Sequence, residues 1–374
     1  MLSLEQRLLE HPRQLWWKFQ DFKADKIKAL NQWFIGHLTD EQILRLSRPY
    51  IAGYNQEEGL HTVLSYVNRG RKITIDDLGE SSLTMGEADT VVQEYIRFID
   101  WISANKLQKE VSISLKATSI CPVISKDIPA LRDPESLIPR LELIVKYASE
   151  RGVDVTLDME GSASTQISLN AAKYIWKQGY ENFGMVLQTM LNRTRDDIID
   201  LFVKTEYPIQ KKKMRVRVVR GIYDESRDIA TQSKSEAKHR MIDITALLLD
   251  IGIYVEIGTH DKKYFRKIME RVIKPRLESD QITKDDFEFQ VLMGVHNGYV
   301  IGDRLLGEGF AVRWYAPIQA RDKSGVPYMR RRLRANPSFV FSGAKNKMQG
   351  WMHSAQNSFH QWENDVGYRR PNSN

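Results

Sequence analysis

One cysteine, Cys121, is all that a chain of 374 residues contains. A disulfide within the chain is therefore excluded, and a reducing, cytoplasmic compartment is expected. Long apolar runs are absent, and the stretch from Met1 to Glu10 is polar and amphipathic. Such a start predicts neither a signal peptide nor a membrane-spanning helix. There is no G-x-G-x-x-G, the phosphate-binding turn of an open dinucleotide-binding sheet. There is no nucleophile elbow for Ser/His/Asp chemistry. No His/Asp/Glu pair stands at ligand spacing around His260, which argues against a metal centre. Zinc-finger and RNA-motif signatures are missing as well. That absence matters because the net charge is +7. Such a balance suits an anionic ligand, an anionic membrane surface or nucleic acid, and nucleic acid has no motif to support it.

What is present points to a large α/β body. Residues 1–70 carry helical apolar spacing through Leu8, Leu15, Trp16, Phe19, Phe22, Ile27 and Leu30, with no convincing strand. Thr39 with Gln42 reads as a capping box, so an N-terminal helical arm is expected. From Lys72 the texture changes. Short β-branched runs occur at Lys72–Leu78, Val111–Ala117, Val153–Asp158, Phe183–Thr189, Arg215–Gly221, Ile253–Thr259, Phe287–Met293 and Phe310–Ala316. Helix signals fill the gaps: Thr84 with Glu87, Ser168 to Gly179, Thr194 with Asp197, Ser233 with Glu236 up to Gly252, and Asp261. Strand–helix alternation of this length predicts a parallel (β/α)8 TIM barrel over 71–336, with an open doubly wound sheet as the rival. Residues 337–374, rich in polar residues but holding Trp351 and Trp362, read as a tail or lid.

In such a barrel the active site lies at the C-terminal ends of the strands. Those ends carry Asp76 and Asp77, Lys116, Asp158 and Glu160, Gln188, Arg217 and Arg220, Thr259 and His260, and Tyr315, with Glu288 and Gln290 inside the seventh run. A parallel strand buried on both faces should stay apolar, so these departures are informative as a set. Each also has a plainer reading. Lys116 could be a solvated lysine or a Schiff-base former, Asp158 a turn cap, and Arg217 half of an ion pair with Asp158 or Glu160. Near the end of the chain stands Tyr328-Met-Arg-Arg-Arg-Leu-Arg-Ala-Asn336. If helical, it puts Tyr328, Arg331 and Arg332 on one face, suited to a small carboxylate, and leaves Arg330 and Arg334 as surface charge.

The ordered set resembles the proline dehydrogenase family over about Lys72 to Asn336. Thr74-Ile-Asp-Asp-Leu-Gly-Glu80 is similar to its first-strand motif, Ser112-Ile-Ser-Leu-Lys116 to its second, Leu157-Asp-Met-Glu160 to its third and Val186-Leu-Gln188 to its fourth. Arg217-Val-Val-Arg-Gly-Ile-Tyr223, Thr259-His260-Asp261, Glu288-Phe-Gln-Val-Leu292 and the closing Tyr328 run complete the series. The resemblance implies a distorted eight-fold barrel that binds FAD and oxidises L-proline to Δ1-pyrroline-5-carboxylate, passing electrons to a quinone or other acceptor. It implies a cytoplasmic protein with possible peripheral contact to the inner membrane face. It implies Asp158, Arg217 and Lys116 as catalytic residues. Lys116, Leu292, Tyr315, Tyr328, Arg331 and Arg332 would bind substrate. Met159, Gln188, Arg217, Arg220, Gly221, Ile222, Thr259 and His260 would bind cofactor, with no metal and no nucleic acid.

The chain departs from the family pattern at Arg220, usually Lys, at Asp224, often Trp, and at Ala335, usually Glu. With no second catalytic domain expected, the pyrroline would pass to another protein, or feed a biosynthetic route such as carbapenem formation.

Overall fold

The computed structural model describes residues 35–335, apart from 80, 126–127, 133 and 322–324. The periodic stretch Leu8 to Leu30, the tail 337–374, Glu80 and Asn336 lie outside the described residues. The chain divides into two compact units, Arg48–Tyr328 and Met1–Ser47 with Met329–Asn374. Residues 48–70, expected in the N-terminal arm, belong to the larger unit.

The larger unit is a barrel of eight parallel strands: β1 (Lys72–Asp77), β2 (Val111–Lys116), β5 (Val155–Asp158), β6 (Phe183–Gln188), β7 (Arg215–Val219), β8 (Tyr254–Gly258), β9 (Phe287–Leu292) and β10 (Val312–Ile318). β10 closes onto β1, from Lys72 opposite Arg313 to Asp77 opposite Ile318. A two-stranded antiparallel hairpin, β3 (Val123–Ser125) and β4 (Ile128–Arg132), interrupts the second crossover. The hairpin is not legible as a strand–helix unit. β10 also sits two residues later than its β-branched run suggests.

Side chains alternate along each strand. Ile73, Ile75, Val111, Ile113, Leu115, Leu157, Val216, Val218, Val255, Ile257, Phe289 and Trp314 are buried in the core formed with the helices. Their sequence neighbours Thr74, Asp76, Ser114, Lys116, Arg217, Glu256 and Gln290 are buried but polar. A period of two sends these two sets to opposite faces. The polar departures noted in the sequence therefore share one face: the outer face is apolar and the inner face is largely polar.

The helices start and stop mostly where their caps predict. Thr84 accepts from Glu87 N–H at 3.2 Å and opens the helix Met85–Ala104. Ser233 accepts from Glu236 N–H at 3.2 Å, and Gly252, with φ of 87°, closes Lys234–Ile251. Asp261 accepts from Lys263 and Tyr264. Two signals misled. The helix expected from Ser168 begins at Ser162, and Ser168 instead donates to Ser164 O at 2.9 Å from mid-helix. Thr194 is no capping box, because its hydroxyl donates to Gln188 O at 2.6 Å while Asp197 accepts from Arg193.

In the smaller unit, Thr39 and Gln42 do form a reciprocal capping box on Asp40–Ser47. The arginine run is helical, Val326–Ala335. Arg330, expected as surface charge, donates to Ile35 O at 2.8 Å, Leu38 O at 3.0 Å and Asp40 at 2.9 Å. It clamps the entry to the Asp40–Ser47 helix.

Candidate active site

Contacts between strands that are not neighbours identify the polar face as the barrel interior. Arg217 of β7 donates to Asp158 of β5 at 2.8 Å and to Ser114 of β2 at 3.1 Å. Tyr315 of β10 donates to the other Asp158 oxygen at 2.5 Å. Asp158 also accepts from Ser114 at 2.8 Å. Its carboxylate is thus the hub of four strands. Arg217 meets a second carboxylate, Glu256, through Nε at 3.2 Å. Burial would lower the Arg217 pKa, but Glu256 and Asp158 hold it raised. Burial, with Asp158 and Asp76, pushes the Tyr315 phenol well above its usual range, so it stays a donor. The plainer reading of Arg217 as an ion-pair member with Asp158 or Glu160 is met by Asp158; Glu160 instead accepts from Thr118 N–H and hydroxyl at 2.9 and 2.7 Å.

Lys116 is no solvated lysine. It is 3% exposed, donates to Asp76 and to Asp77 O, and its ammonium lies 5.3 Å from the centre of the Tyr328 ring. Burial alone would lower Lys116, but Asp76, Tyr95 and Asp158 hold it charged, well above the ordinary lysine range. Burial pushes Asp76 up to about 7 against the pull of Lys116. Deeper in the barrel, Arg313 donates to Glu288 at 2.7 Å, and Gln290 bridges Glu288 and Glu256 at 2.7 Å each. Burial would raise Glu288, but Arg313 outweighs it and holds it below the ordinary carboxylate range.

Around this hub the other expected residues take varied places. Gln188 donates to Met159 O at 2.8 Å and Glu160 O at 2.9 Å, fixing the turn after β5. His260 accepts from Leu292 N–H at 2.6 Å, which ties the end of β9 to the loop after β8 and leaves the ring proton on Nδ1. Arg220 donates to Gly221 O at 3.0 Å, Thr259 accepts from Asp261 N–H at 3.3 Å, and Ile222 is half-buried. Gly221 has φ of 98°, and a Cβ there would come within 2.4 Å of Met190 Sδ and 2.7 Å of Gln188 Oε1. Only glycine fits that turn. Lys116, Asp158, Arg217, Tyr315 and Tyr328 form one connected cluster. Arg331 and Arg332 belong to the smaller unit.

Asp76, expected from its place at the end of the first strand, joins the cluster through Lys116, and Ser114 and Glu256 complete it without having been singled out from the sequence. For Ser114 the signal was available: Val111-Ser-Ile-Ser-Leu-Lys116 alternates apolar and polar in strict period two.

Two buried polar atoms here, Gln188 Oε1 and Arg217 Nη2, have no hydrogen-bond partner among the described residues. One accepts and the other donates, which fits a heterocycle carrying both kinds of group along one edge, as a flavin ring does.

A proline dehydrogenase family model matches residues 60–340. Proline dehydrogenase 2 of Bacillus subtilis is 31% identical over 300 residues, which cover 79% of this chain and 89% of that protein. Proline dehydrogenase of Deinococcus radiodurans is 25% identical, over 83% and 93% of the two chains. Among solved structures, proline utilization A from Bdellovibrio bacteriovorus inactivated by N-propargylglycine superposes with a TM-score of 0.67 at 22% identity. That match covers 78% of this chain but spans only 33% of the larger protein, so it speaks for the barrel alone. With the family model matching well over half of its length, the chain belongs to the proline dehydrogenase family.

Proposed function

We propose that this chain oxidises L-proline to Δ1-pyrroline-5-carboxylate with FAD as cofactor. The observation that carries the reading is the Asp158 hub, a carboxylate held by Arg217, Ser114 and Tyr315 at the C-terminal mouth of the barrel in a member of this family. Gln188, Arg217 and the backbone at Met159 would face the flavin ring. Arg220, Gly221 and Ile222, with Thr259 and His260, would hold the ribityl, pyrophosphate and adenine parts. FAD, when bound, supplies the hydride acceptor at its N5. Asp158 would stabilise the positive charge that develops at the proline nitrogen as hydride leaves the neighbouring ring carbon. Leu292, Tyr315 and Tyr328 would enclose the ring, and Lys116 would set the charge at the substrate end. Electrons would pass to a quinone or another carrier. The protein would be cytoplasmic, touching the membrane at most peripherally, and among the described residues no helix is long and apolar enough to cross one. The pyrroline would enter a degradative or a biosynthetic route.

An imine-forming role for Lys116 is disfavoured, since such a lysine must be neutral and this ammonium is buried against a carboxylate. The test is an absorbance spectrum. Purified protein is expected to show the flavin bands and to bleach when proline is added without an acceptor. Folded protein that remains colourless after soaking in FAD overturns the reading.

The proline carboxylate would sit on Arg331 and Arg332, which the helix Val326–Ala335 presents at three and four residues from Tyr328. Arg331→Ala and Arg332→Ala are each expected to raise the proline KM by about 10- to 100-fold, the loss of one charged hydrogen-bonded pair. Unchanged KM in both variants would misplace the carboxylate.

A further inference from the structure

We infer that Glu225 is a positioning residue that fastens the cofactor-bearing loops of the barrel mouth to one another. The helix Ser162–Lys177 begins after Gly161, which brings no side-chain cap. A helix start leaves backbone N–H groups without partners and favours a negative charge. Here that charge comes from 63 residues away: Glu225 accepts from Ser162 N–H at 2.7 Å and from the Ser162 hydroxyl at 2.5 Å.

The segment carrying Glu225 is also laced to the loop after β6. Met190 N–H donates to Arg220 O at 3.0 Å, Asn192 N–H to Ile229 O at 2.9 Å and Thr231 N–H to Met190 O at 2.9 Å. One segment after β7 therefore binds the loops after β5 and β6. The Tyr223 ring packs into the same seam, 3.5 Å from where a Cβ on Gly161 would stand. These loops, with the strand end at Gln188, hold Met159, Gln188 and Arg220 to Ile222, residues assigned above to the flavin. The inference rests on that assignment. Backbone lacing secures the β6–β7 side, whereas Glu225 supplies both side-chain bonds that join the segment to Ser162. Without it the turn after β5 loses its outer anchor.

The test is titration of apoprotein with FAD, followed by quenching of flavin fluorescence, with apoprotein melting measured in parallel. Glu225→Ala is expected to weaken FAD binding about tenfold or more, the scale of one lost charge-assisted hydrogen bond. A variant that merely uncaps a helix would behave differently. Gly161→Ser added to Glu225→Ala gives the helix its own cap, and Gly161 tolerates a side chain because its φ of −64° is ordinary. The double variant is expected to regain the melting temperature while FAD binding stays weak. FAD affinity equal to wild type in Glu225→Ala, or restored by the serine cap alone, overturns the positioning role. Wild-type apoprotein that binds no FAD overturns the flavin assignment itself.

Discussion

Asp158→Asn is expected to lower kcat/KM for proline by about 100- to 1000-fold, the range found when one preorganised electrostatic group is removed from an active site. The amide keeps the size of the side chain and loses its charge. Arg217 would then have Glu256 as its remaining carboxylate partner, and the Tyr315 hydroxyl would face an NH2 group that cannot accept from it. One donor aimed at the hub would be misdirected, and the negative charge opposite the developing cation would be gone. Gln188 and the Met159 carbonyl do not touch the Asp158 side chain, and Glu256 still holds Arg217, so flavin content should be retained. The measurement is steady-state oxidation with a dye acceptor, normalised to bound flavin. Activity within threefold of wild type would remove Asp158 from the chemistry.

The position of Asp158 was legible because it ends a strand, and strand ends are where a (β/α)8 barrel places its chemistry. The eight strands were legible for a related reason: apolar residues on the outer face mark each strand whatever the inner face carries. Glu256 was harder. It lies mid-strand, flanked by Val255 and Ile257, and looks like an isolated charge until a barrel closure brings Arg217 and Gln290 to it. Arg330 was misread because nothing in a run of arginines tells which one meets backbone carbonyls from a segment 295 residues earlier. Ser168 and Thr194 show the same limit locally. Serine and threonine bond to backbone in caps and inside helices alike, and only whether the residue's own φ/ψ is extended or helical separates the two. Glu225, an acidic residue in a loop, carries no local signature, since the helix it caps belongs to another strand's crossover.

Lys116→Met is expected to destabilise the protein by about 3–5 kcal/mol at pH 8, the cost of leaving one member of a buried ion pair uncompensated. Methionine fills the space of the aliphatic stem but leaves Asp76, which is fully buried, without its ammonium. One Asp76 oxygen, Oδ2, already has no hydrogen-bond partner among the described residues. The pH dependence identifies the cause. Burial raises Asp76 to about 7 even with Lys116 present, and removing the cation moves it further up. A carboxyl whose folded pKa exceeds its unfolded value binds more protons when folded, so its contribution is most favourable below the unfolded pKa and is lost as pH rises through the folded one. The destabilisation relative to wild type should therefore be largest at pH 8 to 9 and shrink towards pH 5, where Asp76 in the variant is neutral. Urea unfolding of both proteins across that range measures it. In the double variant Lys116→Met, Asp76→Asn, the pH dependence due to this site should vanish, because no titrating group remains in the pair. A penalty for Lys116→Met that is equal at pH 5 and pH 8 would mean that Lys116 stabilises the barrel through its packing against Tyr328 and not through its charge on Asp76.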